Sequence, residues 1–180
     1  MKLFLTITCL FFISTSQSQS VFVTNNGSAK FFSTAPLEDI EANNDKVFSL
    51  LDVKKKSIGV SILIKAFEFE KKLMQEHFNE NYLESDKYSK AHFFGTINFN
   101  LPREGSYTEG NVSGEITIHG VKKPIDIPVR IEKNGDSYSL NSVFKIRVKD
   151  FRIKIPKVVV RNIAEVVEVS FKLNYIPRTK

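Results

Sequence analysis

The amino-acid sequence predicts an all-β fold, an eight-stranded antiparallel barrel with a short helix near one end. Three observations lead to this prediction. Most of the chain after residue 20 alternates apolar and polar residues with a period of two, which indicates strands with one buried face. Turn-forming residues separate these runs, and one stretch has helical spacing instead. Strands with one apolar face must bury it, and closure into a barrel also removes exposed edges.

The first twenty residues are predicted to be a signal peptide. Lys2 precedes an apolar run, Leu3 to Ile13, and a polar stretch, Ser14 to Ser20, follows it. A helix that spans a bilayer needs about 20 apolar residues, so a retained membrane anchor is the weaker interpretation. We expect cleavage near Ser18 to Ser20, which would leave one domain, residues 21–180, in the periplasm or outside the cell.

Cysteine content and charge limit the classes of function. Cys9, the single cysteine, lies inside the apolar run, so the exported chain would contain no disulfide, thiolate zinc site or cysteine nucleophile. The full chain carries a formal net charge of +6. This excess fits either transient contact with an anionic membrane surface or an ordinary basic surface, and export argues against a nucleic-acid partner.

Six runs carry the two-residue alternation, and each has an apolar face that we expect to point inward. In chain order, these faces consist of Ile58, Val60, Ile62 and Ile64; Phe93, Gly95, Ile97 and Phe99; Val112, Ile116 and Ile118; Ile125, Ile127, Val129 and Ile131; Tyr138, Leu140, Phe144, Ile146 and Val148; and Val167, Val169, Phe171, Leu173 and Tyr175. Asn134 and Gly135, between the fourth and fifth runs, are a strong signal for a hairpin.

The stretch from Glu70 to Leu83 breaks the alternation. Leu73, His77 and Phe78 fall there at helical spacing among Lys, Glu and Gln residues. We therefore predict a short helix that crosses one end of the sheet, with Leu73 and Phe78 facing the mouth of the barrel.

The interior of such a barrel allows two alternatives. Eight strands enclose a space just wide enough to be filled by side chains or to hold one small ligand. The alternation alone does not choose, because any β core needs inward-facing apolar residues. Several of the 16 phenylalanines lie on the predicted inner faces, and rings on a concave wall favour a pocket for a flexible hydrocarbon chain.

Three segments resemble one known family. They are the helical stretch from Leu73 with its continuation through Tyr88 to Gly95; Gly114-Glu115-Ile116-Thr117-Ile118-His119-Gly120-Val121-Lys122-Lys123-Pro124; and Phe144-Lys145-Ile146-Arg147-Val148-Lys149-Asp150-Phe151-Arg152-Ile153. On these segments the chain is similar to the YceI-like family, periplasmic proteins with a lipocalin-like barrel that bind polyisoprenoid lipids. It departs from the family pattern at Ser89, where proline is usual, at Arg152, where glycine is common, and in the amino-terminal strands, which lack the family's tryptophan.

The resemblance implies an exported binding protein, not an enzyme, that sequesters or carries an isoprenoid or similar long-chain lipid in its interior. It implies no cofactor and no metal, although the ligand could be a quinone-like lipid. The residues expected to line the ligand are Phe93, Ile97, Phe99, Ile116, Ile118, Ile127, Val129, Phe144, Ile146, Val169 and Phe171 on the strands, with Leu73, His77 and Phe78 on the helix. The alternative is a filled barrel that recognises another cell-envelope protein and holds no lipid.

Histidines and carboxylates form no recognisable catalytic or metal motif. His77, His92 and His119 lack the short spacing of zinc ligands, and surface or capping roles fit His92 and His119 better. Glu165 and Glu168 lie in polar surroundings, whereas acid catalysis requires an environment that raises the pKa of one carboxyl group. An enzyme is the least supported class, and His77 could instead bond a quinone carbonyl or a head group.

Two basic segments have open roles. Lys54-Lys55-Lys56 is expected in a solvated turn before a strand, with a membrane-docking patch as the alternative. The region from Arg147 to Lys157 is also basic and mostly alternates outward, which would discourage edge pairing. The sequence leaves the oligomeric state open, a dimer included.

Overall fold

The structure, a computed structural model, describes residues 20–34, 39–155 and 165–178. Within these ranges the strands are β1 Val21–Ser33, β2 Ile40–Asp52, β3 Ser57–Leu63, β4 Glu68–Phe69, β5 Lys90–Ile97, β6 Ser106–Ile118, β7 Val121–Asn134, β8 Ser137–Arg147 and β9 Val166–Pro177. The helical segments are α1 at Lys72–His77, a π-helical turn at Phe78–Tyr82, and 3₁₀ turns at Ile64–Ala66 and Val148–Phe151. Residues 1–19 of the predicted signal peptide lie outside the described residues.

The strands form one antiparallel sheet that closes on itself. Following the hydrogen bonds, the order is β1-β9-β8-β7-β6-β5-β3-β2, and β2 pairs again with β1. The two-residue β4 adds a short extension to β2, where Phe69 lies opposite Ala42. Eight strands therefore make the barrel wall and one short helix accompanies them, which confirms the predicted fold class.

One end of the barrel is filled by its own side chains. The large side chains that are at most 1% exposed there are Leu51, Ile97, Val112, Ile131, Leu173 and Tyr175. The Tyr175 hydroxyl lies 2.7 Å from Ser49 Oγ, which donates to the carbonyl oxygen of Gly59 at 2.8 Å. Desolvation raises the pKa of Tyr175. We call this end the filled end.

β1 and β2 each contain a bulge, at matching levels of the barrel. β1 buries even-numbered positions up to Thr24 and odd-numbered positions from Gly27 onward, and the register shifts on both sides of Gly27. β2 makes the same change between Asn44 and Val47. A bulge adds one residue to a strand, so beyond it the inward-facing positions change from even-numbered to odd-numbered residues. The two-residue alternation is therefore interrupted in both strands.

The pairing between β7 and β8 covers only the half of each strand next to their hairpin. Val129–Asn134 pairs with Ser137–Ser142. On their other sides, β7 pairs with β6 and β8 pairs with β9 along nearly their whole lengths. Pro124 and Pro128 lie in the half of β7 that has no partner in β8, and they have no N–H to donate toward β8. The pairing of β7 with β8 consequently does not reach the end of the barrel opposite the filled end.

Candidate functional site

A cavity of about 510 Å³ occupies the end of the barrel opposite the filled end. The inner faces of the strands form its wall, and α1 with the π-helical turn covers its mouth. The lining residues are Phe31, Ser33, Ile40, Ile62, Ile64, Phe67, Phe69, Met74, His77, Phe78, Tyr82, Leu83, Ala91, Ile116, Ile118, Phe144, Ile146, Val148, Ile153, Ile155, Val167, Val169 and Phe171. The barrel is thus half filled and half hollow.

The cavity wall is almost entirely hydrocarbon. Ser33, His77 and Tyr82 are the lining residues with polar N or O side-chain atoms, and the latter two belong to the helical cover. Burial raises the pKa of Tyr82. Water inside such a wall finds few hydrogen-bond partners, whereas an apolar chain loses nothing by entering it.

Four phenylalanine rings fasten the helical cover to the barrel, and we call them the mouth cluster. Phe31 belongs to β1 and Phe78 begins the π-helical turn. Phe67 directly precedes β4, and Phe69 is the last residue of β4. The ring centroid of Phe78 lies 5.4 Å from that of Phe31, 5.7 Å from that of Phe67 and 5.0 Å from that of Phe69. These separations are those of favourable aromatic pairs. Phe78 therefore holds the cover while it also lines the cavity.

Hydrogen bonds hold the cover together and tie it to β4. The amide of Phe69 donates to Gln75 Oε1 at 3.2 Å, and Asn79 Nδ2 donates to the carbonyl oxygen of Gln75 at 2.9 Å. The amide of Leu83 donates to the carbonyl oxygen of Phe78 at 2.9 Å, five residues back, which closes the π-helical turn. This wider turn places both Tyr82 and Leu83 on the cavity wall.

A second junction holds the mouth where β6 meets β7. His119 and Gly120 form the two-residue hairpin loop, with φ angles of 49° and 71°. His119 Nε2 lies 2.7 Å from Glu84 Oε2, and His119 Nδ1 lies 3.2 Å from the carbonyl oxygen of Phe151. The Tyr88 ring packs edge-on against the imidazole at 4.5 Å between centroids. One side chain thus joins the end of the cover, the hairpin and the 3₁₀ turn after β8.

The floor of the cavity is a pair of stacked rings. The centroids of Phe144 on β8 and Phe171 on β9 lie 6.0 Å apart, with 13° between the ring planes. Beneath them is a separate space of about 50 Å³, which shares Ile62, Ala91 and Ile116 with the cavity above. The filled end begins below this space.

The structure places the fourteen predicted site residues in three groups. Ile116, Ile118, Phe144, Ile146, Val169, Phe171, His77 and Phe78 lie on the cavity wall. Phe93, Ile127 and Val129 surround the space beneath the floor. Ile97, Phe99 and Leu73 lie outside both. Contact of any of these residues with a ligand stays a prediction.

The three outlying residues have clear physical reasons for their positions. Ile97 points inward as predicted but is 1% exposed, within the filled end. Phe99 follows the end of β5 and packs over Gly110, where a Cβ would lie 2.4 Å from its ring. Leu73 is 62% exposed, because Met74 and not Leu73 shares the inner helix face with His77 and Phe78.

Several lining residues escaped sequence reasoning. Phe31 lies beyond the bulge of β1, where the alternation no longer identifies the inner face. Met74 is offset by three and four positions from His77 and Phe78, a spacing that would have identified it in place of Leu73. Phe67 and Phe69 alternate around Glu68, a signal that was present but too short to indicate a strand.

The remaining polar groups of the described chain suggest no second chemical site. In residues 20–34, 39–155 and 165–178, no three His, Cys, Asp or Glu side chains come together in a way that could hold a metal ion. None of the described helices is long and apolar enough to cross a membrane. Asp52 Oδ1 accepts the amides of Lys54 and Lys55 at 3.0 and 2.9 Å, so this basic turn is built into the filled end, away from the cavity.

The fold and the cavity define a class of protein: a closed antiparallel barrel with one filled end, one hollow apolar end and a helical cover. Comparison with family sequence models identifies the family within this class. The YceI-like domain matches residues 13–175, so the chain belongs to the YceI-like family, as its motifs predicted. No curated protein sequence matches the chain.

Solved structures share this fold at low sequence identity. A polyisoprenoid-binding domain from Saccharophagus degradans, implicated in plant cell wall breakdown, is 15% identical with a TM-score of 0.77, over 89% of this chain and 99% of that domain. Burkholderia cenocepacia BcnA is 20% identical with a TM-score of 0.69, over 82% and 95% of the two chains. A Campylobacter jejuni YceI protein is 14% identical with a TM-score of 0.58, over 100% and 94%. At these identities the likeness establishes the fold alone.

Proposed function

We propose that this protein is an exported, non-catalytic carrier or store that sequesters an isoprenoid or similar long-chain lipid in the hollow half of its barrel. The observation that carries the proposal is the cavity of about 510 Å³ with its nearly continuous apolar wall. A barrel of this size could instead be filled by its own side chains. The alternative function, an envelope interaction module without a lipid, would suit a filled barrel better than a half-hollow one.

The energetics of burial favour a hydrocarbon ligand. Each methylene moved from water into an apolar site contributes about 0.8 kcal/mol. Ten enclosed carbons would therefore contribute about 8 kcal/mol before the costs of ordering and association. This gain gives useful affinity without strong polar recognition, which agrees with the small number of polar side chains in the wall.

The helical cover suits the polar end of such a ligand. His77 and Tyr82 lie on the cavity wall at the mouth, and each side chain can donate or accept a hydrogen bond. A quinone carbonyl or an alcohol could bond to them while its tail occupies the apolar space. Membership of the YceI-like family and the fold shared with a polyisoprenoid-binding domain support an isoprenoid as the ligand class.

Lipid extraction tests the proposal most directly. We expect the purified exported protein, extracted with organic solvent and measured by mass spectrometry, to release about one lipid per chain, chemically unchanged after prolonged incubation. Phe144→Asp should release none, because it puts a carboxylate without a partner into the cavity floor. Val143→Asp changes the adjacent residue, whose side chain is 54% exposed on the outer face, and should keep its lipid.

Two results would contradict the proposal. One is wild-type protein that carries no lipid and shows no saturable binding of a fluorescent apolar probe. The other is release of a chemically altered lipid at a rate that depends on His77, which would indicate an enzyme.

Export is tested separately. The mass of the protein recovered from the periplasm or the medium should correspond to a chain cleaved near Ser18 to Ser20. A full-length chain that stays with the membrane fraction would contradict this part of the proposal.

A further inference from the structure

We infer that the stacked pair Phe144 and Phe171 sets the length of hydrocarbon that this barrel can enclose, at about 20 carbons, the length of four isoprene units. The inference rests on the proposed lipid-binding function and adds to it the size of the ligand tail. It is drawn from the volume of the cavity and from the side chains that separate it from the space below.

The volume fixes the limit. A 150 Å³ protein cavity lined by apolar side chains accepts benzene, which corresponds to about 25 Å³ for each carbon. By that measure the cavity of about 510 Å³ holds about 20 carbons. A prenyl chain of three or four isoprene units would be enclosed completely, whereas the remainder of a longer chain would have to leave through the mouth.

The floor is made by two rings on neighbouring strands. In the β8–β9 register, Phe144 lies opposite Val169 and Phe171 lies opposite Ser142, so the two rings are diagonal neighbours on the inner face. Phe144 is 7% exposed and stacks on Phe171 at 6.0 Å between centroids. Both rings line the cavity above and the space of about 50 Å³ below. Removing one ring would therefore join these two volumes.

The filled end makes the floor the last adjustable layer. Leu173 and Leu140 border the lower space and are 1% and 2% exposed. Below them, Ile97, Ile131 and Tyr175 are at most 1% exposed and belong to the filled end. Depth along the barrel is thus limited first by the two rings and then by the packed core.

Two substitutions should move the limit in opposite directions. Phe171→Ala removes a ring, which frees about 150 Å³ and adds the space below, so about eight more carbons should fit. Ile62→Trp extends a larger side chain from β3 into the cavity at floor level and should exclude about six carbons. Because the natural chain contains no tryptophan, the new indole also reports directly on ligand at the floor.

The test measures dissociation constants for straight-chain primary alcohols of 10 to 30 carbons, each kept below its aggregation concentration, by displacement of a fluorescent apolar probe. Each added methylene should tighten binding about fourfold while it enters the cavity and have little effect once the cavity is full. The wild-type plot should break near 20 carbons. The break should move to about 28 for Phe171→Ala and to about 14 for Ile62→Trp.

Matched controls change the outer face of the same strands. Val143→Ala, next to Phe144, and Leu63→Trp, next to Ile62, alter side chains that are 54% and 41% exposed. Both should keep the wild-type break, and the indole fluorescence of Leu63→Trp should not respond to ligand. Ile62→Trp fills existing space, so the test does not depend on the stability of Phe171→Ala alone.

The outcomes separate the inference from the proposed function. If no alcohol of any length displaces the probe saturably from wild-type protein, the lipid-binding function fails. If binding is saturable but the break lies far beyond 20 carbons, or stays in place in both Phe171→Ala and Ile62→Trp, the function stands and the floor inference is wrong.

Discussion

Arg152 occupies a left-handed backbone conformation, with a φ of 58°, directly after the 3₁₀ turn Val148–Phe151. This conformation costs a residue with a Cβ roughly 1 kcal/mol, whereas glycine adopts it freely. The family commonly has glycine at this position, and the backbone geometry gives the physical reason. We expect Arg152→Gly to raise the free energy of unfolding by about 1 kcal/mol in urea denaturation.

Asp150 provides the control for this prediction. It lies in the same turn without a positive φ, so Asp150→Gly should bring no gain and a loss of about 0.5–1 kcal/mol. If Arg152→Gly were as destabilising as Asp150→Gly, the strain at Arg152 would not be real.

The buried phenol of Tyr175 in the filled end makes the stability of the protein depend on pH. Burial raises its pKa, so the folded protein keeps the phenol protonated where the unfolded chain, with a pKa of about 10, releases the proton. The stability associated with this group is therefore complete below about pH 10 and is lost as pH rises above it, by about 1.4 kcal/mol per pH unit. We expect the free energy of unfolding, measured in urea between pH 8 and about 11.5, to fall less steeply with pH in Tyr175→Phe than in wild type.

The comparison with an exposed tyrosine isolates this effect. Tyr107 is 55% exposed, so Tyr107→Phe should leave the steep decline of the free energy of unfolding with pH unchanged. Equal slopes for wild type and Tyr175→Phe would mean that the buried phenol does not titrate with unfolding.

At the level of elements, α1 and the π-helical turn depend on packing rather than on helix stability. α1 has six residues, none of them buried, and a helix this short is unstable alone in water. The mouth cluster supplies the missing stabilisation. We expect Phe78→Ala to cost about 2–3 kcal/mol, to speed amide hydrogen exchange across residues 72–82 and to accelerate release of a bound apolar probe.

Leu73 is the natural control, since it lies on the same helix but is 62% exposed. Leu73→Ala should change stability by less than about 0.5 kcal/mol and leave probe release unaffected. If amide hydrogen exchange across residues 72–82 sped up equally in Leu73→Ala and Phe78→Ala, the mouth cluster would not be what holds the cover.

The elements also show which parts of the fold the sequence predicts. Six strands and most of their inner-face residues followed from the alternation, which reflects the local pleat of a strand. β1 and β2 did not, because each changes face at a bulge and buries small or polar side chains such as Thr24 and Asn44. Asn44 is tolerated inside because its Nδ2 donates to the carbonyl oxygen of Leu63 at 3.0 Å and its Oδ1 accepts the amide of Lys46 at 2.9 Å.

The local alternation also could not predict how deep along the barrel axis an inward-facing residue lies. Ile97 and Phe144 both point inward, yet one belongs to the filled end and the other to the cavity floor. Their levels are set by strand register and barrel closure, which join residues far apart in the chain. Alternation could therefore name candidate lining residues but could not rank them by distance from the mouth.

In the whole molecule, the filled end and the hollow end of the barrel have different roles. The filled end has the packing of an ordinary protein core, and the hollow end leaves its apolar wall without a protein partner. Losing a methyl group from the core creates a new void, whereas losing one from the cavity wall only enlarges a space that already exists. Stability and binding should therefore respond to different residues.

Ile131 and Ile118 make this division testable. Ile131 is fully buried in the filled end, so Ile131→Ala should lower the free energy of unfolding by about 2–5 kcal/mol without changing the affinity of the folded protein for an apolar probe. Ile118 lines the cavity, so Ile118→Ala should cost less stability but weaken probe binding about 15- to 60-fold, because the ligand loses contact with two or three carbons. Urea unfolding and probe titration on the same preparations measure both quantities. Equal losses of stability and affinity in the two variants would mean that the barrel behaves as one continuous core, without a separate ligand-binding end.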